Sequence, residues 1–287
     1  MSRLRGMPAL GGLSSRRLLI GGAAVACAVS AGLVAGTGAD EGRSGRGTSA
    51  PSALARTKAV RRRVVFGRSA GGRALSMLAV GDPAAPRRVL VVGCIHGDET
   101  AGVPLVTALA RGPAPSGVRL LLVGAVNPDG RAAGTRQNAH GVDLNRNFPF
   151  GWRPGGAPGD TYYPGPRPFS EPETRAIAAL IRRERPTLTI WFHQHLDLVD
   201  LSGGDARVER RFARLIGERA VRLAPLTGTA TRWQNHTFPP STSFVVELPA
   251  GPLPPGPGDS DRPGGQGPGP GLTASRGELV GSAVRSA

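Results

Sequence analysis

The sequence predicts an α/β fold in which helices cover both faces of a β-sheet. Apolar runs of strand length alternate along the chain with segments whose apolar residues recur at helical spacing, and this alternation is typical of α/β domains. These segments lie between residues 61 and 250. A region of about 190 residues is long enough to bury one substantial core, so we expect a single domain.

The first half of this region is predicted to form four strands and one helix. Arg62–Gly67 and Ala74–Gly81 are short apolar stretches that can pair as an antiparallel hairpin. Unbroken valine and leucine content predicts buried strands at Arg88–Gly93 and Val118–Val126. Between these two strands, Glu99–Ala110 has the apolar spacing of a helix that ends before a Gly-Pro pair.

The second half begins with a long segment, 127–169, that is rich in proline, glycine and asparagine and has no apolar period. A loop of this length inside a domain usually carries function. Ser170 and Glu173 then predict a capping box at the start of a helix, with Pro172 in the first turn. This helix is expected to end before Pro186.

Two further strands and one helix complete the prediction. The apolar runs Leu188–Phe192 and Ser241–Leu248 predict strands. Asp205–Leu223 is predicted to be helical, with arginines opposite an apolar face. That face consists of Val208, Phe212, Leu215 and Ile216.

The ends of the chain differ in composition from this region. Arg16 and Arg17 precede a stretch rich in glycine and alanine, and the combination predicts a twin-arginine export signal in residues 1–39. A transmembrane anchor is the alternative, although an anchor would carry more leucine, isoleucine and valine. Residues 40–60 are predicted to be a linker. Residues 251–287 are predicted to be a disordered tail, because proline and glycine dominate from Pro252 to Gly271.

The net charge of +16 comes almost entirely from arginine, since Lys58 is the only lysine. A basic surface favours polyanions such as cell-wall polymers. We expect no nucleic-acid partner, because the sequence has no recognisable nucleic-acid module. Of the two cysteines, Cys27 lies in the predicted signal, so Cys94 has no partner for an intramolecular disulfide and is expected to be a small buried residue.

Three separated patches of sequence carry the residues of a metal site. In the first, His96 and Glu99 lie in a glycine-marked turn at the end of an apolar run, where both side chains can point to one place. In the third, His193 follows another apolar run. Two histidines and one glutamate leave a fourth position on Zn²⁺ open, as in catalytic zinc sites. The patches are Gly93–Glu99, Gly141–Phe148 and Trp191–His195.

Taken together, the patches resemble the zinc carboxypeptidase family, and most closely its bacterial, murein peptide amidase-like branch. The resemblance covers roughly residues 60–250 and implies a single-domain, three-layer sandwich with a mixed sheet and a site at the strand ends. It also implies that one Zn²⁺ per chain is held by His96, Glu99 and His193. The best-matching segments are Gly93–Gly102, Thr135–Pro149, Thr189–His195 and Thr242–Ala250.

The resemblance implies roles for residues around the metal. Glu247 would be the general base, and Arg136 would polarise the scissile carbonyl. Asn145 and Arg146 would bind a free carboxylate of the substrate. Asp143 would accept a hydrogen bond from the first histidine and so fix its tautomer.

Several residues have a plainer interpretation. Arg136 and Arg146 could be ordinary surface arginines, and Asp143 could cap loop amides. Glu247 lies inside an apolar strand, where burying a carboxylate without a purpose is costly. His195 shares a strand face with His193, so only the family pattern favours His193 as the ligand.

The remaining polar and aromatic candidates are expected to lie outside the reaction centre. His140 and His236 are expected at the surface, and Asp98 is expected to face solvent or to cap a helix. The family also places a flexible tyrosine over the substrate. Only Tyr162 and Tyr163 occur here, in a different part of the chain, so that role is vacant or filled by another residue.

The sequence therefore predicts an exported, monomeric zinc peptidase that hydrolyses an amide near a free carboxylate in a murein-derived peptide, touching the membrane only through an uncleaved signal. One alternative is an N-acyl amino acid deacylase of the aspartoacylase and succinylglutamate desuccinylase type. Another is a non-catalytic wall-binding module. The side-chain specificity, expected to reside between Asp205 and Thr242, is not identified by any residue pattern.

Overall fold

Seven strands form one mixed sheet in the residues that the computed structural model describes, 60–253 and 276–286. The order of strands is β1-β2-β4-β3-β5-β6, and β7 pairs with β5. The predicted export signal lies outside the described residues, as does nearly all of the predicted linker. None of the described helices is long and apolar enough to span a bilayer. The strands are β1 (Val60–Arg68), β2 (Ala74–Gly81), β3 (Arg87–Val92), β4 (Val118–Val123), β5 (Leu188–Asp200), β6 (Ala220–Val221) and β7 (Thr242–Pro249).

The pairing confirms the predicted hairpin and the α/β class. β1 and β2 are antiparallel, and β2 also pairs antiparallel with β4. β3 lies parallel to both β4 and β5. The carboxyl ends of β3 and β5 therefore meet at one edge of the sheet, and this is where a site in such a fold is expected.

β5 is longer than predicted and wraps around the end of β7. Its first part runs parallel to β7, with His193 opposite Glu247. The chain then turns, and Asp197 takes a positive φ of 56°. Beyond the turn the register runs in the opposite direction, with Leu198 opposite Glu247 and Asp200 opposite Val245. Glu247 consequently has β5 backbone on both sides.

Helices cover the two faces of the sheet and bury a separate core on each, which confirms the three-layer sandwich. On one face, α1, α4 and α6 contribute Leu105, Phe212 and Val284. On the other face, α3 and α5 contribute Ile177 and Trp233. The helices are α1 (Gly102–Arg111), α2 (Pro128–Ala133), α3 (Pro172–Glu184), α4 (Ala206–Ile216), α5 (Ala230–Thr237) and α6 (Arg276–Ser286).

The prediction of a disordered tail is wrong for residues 276–286, which form α6. Val280, Ala283 and Val284 recur at helical spacing and are buried in the core shared with α1 and α4. This apolar stripe lies beyond the last of the clustered prolines and glycines, so the composition of the tail as a whole concealed it.

The predicted capping box at α3 is also wrong. Glu171 occupies the N-cap position and makes no side-chain cap bond. Ser170 Oγ donates to the Glu171 carboxylate at 2.7 Å. Glu173 is buried and accepts a hydrogen bond from the amide of Ala70 at 2.8 Å. The Glu173 carboxylate therefore bonds to the turn between β1 and β2, whereas the local sequence pattern predicts a bond to the start of α3.

Candidate metal centre and cleft

Two histidines and a glutamate converge at the carboxyl ends of β3 and β5. Their ligand atoms all lie within 4.8 Å of one another. Glu99 Oε1 is 2.8 Å from His96 Nδ1, and Glu99 Oε2 is 2.8 Å from His193 Nδ1. The two Nδ1 atoms are 3.1 Å apart. The predicted ligand set, His96, Glu99 and His193, is thus brought together as one group.

The turn after β3 owes its shape to glycine. A Cβ at Gly97 would lie 2.0 Å from the carbonyl carbon of Gly130, closer than any real contact. Only glycine can therefore pack here against the backbone of α2. Within this turn the amide of Glu99 donates to the carbonyl of His96 at 3.1 Å, which places both side chains on the same side.

The donor set suits Zn²⁺. Two nitrogen atoms and a carboxylate are ligands that zinc accepts, and Zn–N bonds of about 2.0–2.1 Å in tetrahedral geometry place ligand atoms about 3.3 Å apart. The separations of 2.8 and 3.1 Å are close to that value. Two Nδ1 atoms at this distance cannot both carry protons that point at each other, whereas two lone pairs can share one cation.

Asp143 and Arg136 surround the first ligand. His96 Nε2 is 3.1 Å from Asp143 Oδ1, so this carboxylate fixes the tautomer that leaves Nδ1 unprotonated. Arg136 contacts Asp143 through Nη2 at 3.0 Å and Glu99 through Nη1 at 3.0 Å. Asp143 is fully buried. Burial alone would raise its pKa, but His96 and then Arg136 hold that pKa well below its usual range.

The charges at the centre favour a cation between the ligands. Burial raises the pKa of Glu99, yet the two neighbouring histidines outweigh burial and keep its pKa far below normal. Glu99 is therefore ionised, as a metal ligand must be. Asp143 adds a second buried negative charge beside His96. The same carboxylates that would stabilise an imidazolium would stabilise a bound metal ion.

Glu247 faces this centre from β7. Its pairing with His193 places it on the strand next to the ligand, and it lines the same cleft. Burial raises its pKa, although His193 opposes the effect. Its Oε2 is buried and accepts no hydrogen bond from the described residues. A hydrogen bond from the Leu196 backbone fixes the carboxylate beside the ligand group.

Asn145 and Arg146, which are predicted to bind a substrate carboxylate and are called the carboxylate site below, lie on a single turn of 3-10 helix at Leu144–Arg146. The amide of Ala230 donates to Asn145 Oδ1 at 3.0 Å, which fixes the orientation of the side-chain amide. Arg146 is buried yet lines the cleft. Burial lowers the pKa of its guanidinium, and Asp143 opposes the effect.

One cleft of about 870 Å³ is lined by the ligand group, Arg136, Glu247 and the carboxylate site, and it extends beyond the metal centre. Its far part includes Asp200 from β5, Arg222 after β6 and Thr231 from α5. No sequence pattern points to any of these three residues. The second part of β5 follows a polar stretch, so its apolar run predicts only the first part of the strand. α5 has too few apolar residues for their spacing to predict a helix.

The acid beneath this part of the cleft was also missed. Glu209 of α4 is fully buried. Its Oε1 accepts a hydrogen bond from the amide of Gly204 at 3.3 Å, while Oε2 has no partner among the described residues. Burial, with a smaller effect from Asp200, raises its pKa to about 7, against the opposing effects of the Gly204 and Ser202 backbone hydrogen bonds and of Arg222. Glu209 therefore supports the segment that follows β5.

The structure separates the two candidate histidines of β5. His193 is buried in the ligand group, whereas His195 is exposed at the edge of the cleft. His140 is exposed and lies 2.8 Å from the Glu171 carboxylate. Asp98 is exposed, as expected. Cys94 is fully buried, and burial raises the pKa of its thiol to about 12, so the structural role predicted for it fits.

His236 and the aromatic side chain of Phe150 stack at a centroid distance of 4.1 Å, away from the ligand group. The Tyr162 ring, in contrast, lies beside the carboxylate site. Its centroid is 4.9 Å from the Arg146 guanidinium carbon and 5.5 Å from that of Arg136. Tyr162 also lines the cleft.

An open three-ligand metal centre beside a partly buried carboxylate in one cleft, on a three-layer sandwich, is the arrangement of a metal-dependent hydrolase. Residues 52–211 match the family model described as zinc carboxypeptidase, and the chain belongs to that family. The matched residues include the three ligands and the carboxylate site but end before Glu247. The resemblance found in the sequence is confirmed.

Curated relatives and solved structures agree with this membership. The chain is 38% identical over 151 residues to murein peptide amidase A of Escherichia coli K12, covering 47% of this chain and 60% of that protein. It is 30% identical over 160 residues to human carboxypeptidase A6, covering 45% of this chain and 37% of that protein. The matched segment thus spans less than two thirds of either relative.

The structural comparisons extend further along the chain. The murein-tripeptide amidase MpaA of Escherichia coli O157 superposes with a TM-score of 0.55 at 29% identity, covering 68% of this chain and 86% of that one. Carboxypeptidase A from Helicoverpa armigera superposes with a TM-score of 0.61, covering 79% of this chain and 69% of that one. At 20% identity the latter supports the fold alone.

Proposed function

We propose that this chain is an exported zinc peptidase that hydrolyses an amide bond next to a free carboxylate, in peptides of the cell wall. The observation that carries the proposal is the position of Glu247, a partly buried carboxylate that lines the cleft on the strand beside the ligand group and whose Oε2 has no partner among the described residues. Similarity to proteins named murein peptide amidase supports the choice of cell-wall peptides.

His96, Glu99 and His193 would hold the zinc ion. When bound, zinc supplies a Lewis acid that polarises the substrate carbonyl and lowers the pKa of water. The protein contributes a fixed ligand geometry through the Asp143 contact to His96. It also contributes a cleft in which the substrate can be oriented.

Glu247 is the group that moves the proton. Its carboxylate lines the cleft and can take a proton from the attacking water and deliver it to the leaving amine. The raised pKa of this carboxyl improves it as a base, because a carboxylate of ordinary pKa holds a proton weakly. Arg136 places a permanent positive charge beside Glu99, where negative charge develops on the carbonyl oxygen during attack.

The carboxylate site gives the enzyme its preference for a free acid. Arg146 presents a guanidinium to the cleft, and a guanidinium can donate two parallel hydrogen bonds to a carboxylate. The Ala230 amide fixes Asn145 Oδ1, so its NH₂ group is available as a further donor. Burial of Arg146 strengthens such a contact by excluding water.

A set of substrates assayed with and without a zinc chelator tests the proposal. We expect cleavage of cell-wall peptides, loss of cleavage with chelator, and recovery when zinc is added back. His96→Ala should lose both zinc and activity. Hydrolysis of N-acyl amino acids in preference to peptides would favour the deacylase alternative, and binding without hydrolysis would favour a non-catalytic wall-binding module.

Export rests on the sequence of the first 39 residues alone. Arg16 and Arg17 before a weakly apolar stretch are typical of substrates of the twin-arginine route. This route carries folded proteins, and a chain with Cys94 as its only cysteine beyond the signal needs no oxidative folding after export. A cell-wall substrate requires such export, so the two parts of the proposal are linked.

A further inference from the structure

Tyr162 holds an unusual position for an aromatic side chain. Its residue is 60% exposed, yet its ring lies against two cations at the edge of the reaction cleft. The guanidinium carbon of Arg146 is 4.9 Å from the ring centroid and that of Arg136 is 5.5 Å away. One ring therefore contacts both an arginine of the carboxylate site and the arginine beside the metal ligands.

The backbone on both sides of Tyr162 is fixed. Arg136 Nε donates to the carbonyl of Thr161 at 3.2 Å. The amide of Asp143 donates to the carbonyl of Tyr163 at 2.9 Å. Further back, Gln137 donates to the carbonyl of Asp160 at 3.0 Å. The exposed ring is thus held over the cleft by its main chain, and these bonds come from the segment that carries the site residues.

The chemistry of the contact explains what the ring can do. The face of an aromatic ring is electronegative and attracts a guanidinium placed over it. Arg136 and Arg146 carry like charges and repel each other, as the effect of Arg136 on the pKa of Arg146 indicates. A shared aromatic face fixes the planes of both groups and shields them from water while their N–H edges remain available.

We propose that Tyr162 is a positioning residue for substrate binding, whose ring holds Arg146 in the orientation that accepts a substrate carboxylate, while Arg136, already paired with Glu99 and Asp143, fixes the ring from its other contact. This inference rests on the proposed function of the carboxylate site. Because Tyr162 acts through Arg146, its removal affects substrates that carry the free carboxylate and leaves the metal centre, Arg136 and Glu247 intact. The ring face, not the hydroxyl, is the active part.

Steady-state kinetics of three variants on matched free-acid and amidated peptides test the proposal, with the zinc-loaded full chain in each case. Tyr162→Leu keeps apolar bulk but removes the ring face, and Tyr162→Phe keeps the face but removes the hydroxyl. Tyr163→Leu is the matched control, because Tyr163 adjoins Tyr162 without lining the cleft. Zinc content and thermal unfolding are measured for each variant.

Tyr162→Leu should raise KM for the free-acid peptide about 3- to 30-fold, the range that an exposed to well-shielded cation–π contact supplies. Its kcat should change less, and its kinetics on the amidated peptide should match those of the wild type. Tyr162→Phe should stay within about twofold of the wild type, since it retains the ring. Tyr163→Leu should leave the preference for the acid unchanged.

Three results would overturn the inference: unchanged KM in Tyr162→Leu, an equal loss on both peptides, or a Tyr162→Phe variant as impaired as Tyr162→Leu. The last of these would assign the effect to the hydroxyl. A failure of the proposed function appears separately and in the wild type alone. If wild-type enzyme cleaves acid and amide equally well, the carboxylate site itself is wrong.

Discussion

Replacing Glu209 by glutamine should remove a pH dependence of stability that the fold imposes on this protein. Glu209 is buried beneath the segment at Gly204, and burial raises its pKa from 4.5 to about 7. Asp200 contributes to this rise, whereas backbone hydrogen bonds from Gly204 and Ser202 and the charge of Arg222 limit it. Glutamine has nearly the same shape as the protonated side chain but cannot ionise.

The sign of the effect follows from the two pKa values. Below pH 4.5 the carboxyl is protonated in both the folded and unfolded chain, and its contribution to stability is fully present. As pH rises towards 7 the unfolded chain ionises while the folded chain holds the proton, so stability is lost. The loss amounts to about 1.4 kcal/mol at pH 5.5 and about 3.4 kcal/mol at pH 8, hence about 2 kcal/mol between them.

Denaturant unfolding of both proteins at pH 5.5 and pH 8, in one zinc-containing buffer, measures this difference. Between pH 5.5 and pH 8, the free energy of unfolding of the wild type should fall by about 2 kcal/mol more than that of Glu209→Gln. The change with pH is the quantity to compare, because the amide alters hydrogen bonding at both pH values equally. Parallel behaviour of the two proteins would show that Glu209 does not titrate between these values.

Three further predictions concern the reaction and export. Glu247→Gln should keep zinc and substrate affinity while turnover falls by about 10²–10⁴-fold, and normal turnover would assign the base to another group. Arg146→Ala should lower kcat/KM on free-acid peptides at least about tenfold and change little on amidated ones, because each charge-assisted hydrogen bond contributes about 1.5–3 kcal/mol; an equal loss on both would contradict the carboxylate site. Changing Arg16 and Arg17 together to lysine should leave the precursor in the cytoplasm with its zinc bound, as cell fractionation would reveal, and unimpaired secretion would point to another route.

The ligand group could be predicted from the sequence because it depends on local features. His96 and His193 each follow an apolar run, and strands of that kind end at one edge of a parallel sheet. Glu99 follows His96 within a single turn. The relative positions of these residues depend on the strand ends and not on the loops, and a family pattern can therefore identify them.

The parts that could not be predicted depend on contacts between distant segments. Tyr162 meets Arg146 only because the segment 127–169 folds back on itself through the bonds of Arg136 and Asp143. Glu209 belongs to a helix that was predicted as amphipathic, but its burial is decided by the backbone near Gly204. The apolar pattern of α5 is too short to predict a helix, although Trp233 is buried in the core.

The residues that line the cleft come from two kinds of structure, the sheet in which β5 wraps around β7 and the loops outside it. Glu247, the proposed base, is hydrogen-bonded into the sheet with backbone on either side, whereas Arg146 and Tyr162 lie on segments that leave the sheet. Insertions or deletions near Tyr162 can therefore alter which molecules are accepted without moving the atoms that break the bond. Substrate preference can therefore change through the loops of this fold, while the strand position of the proposed base is kept.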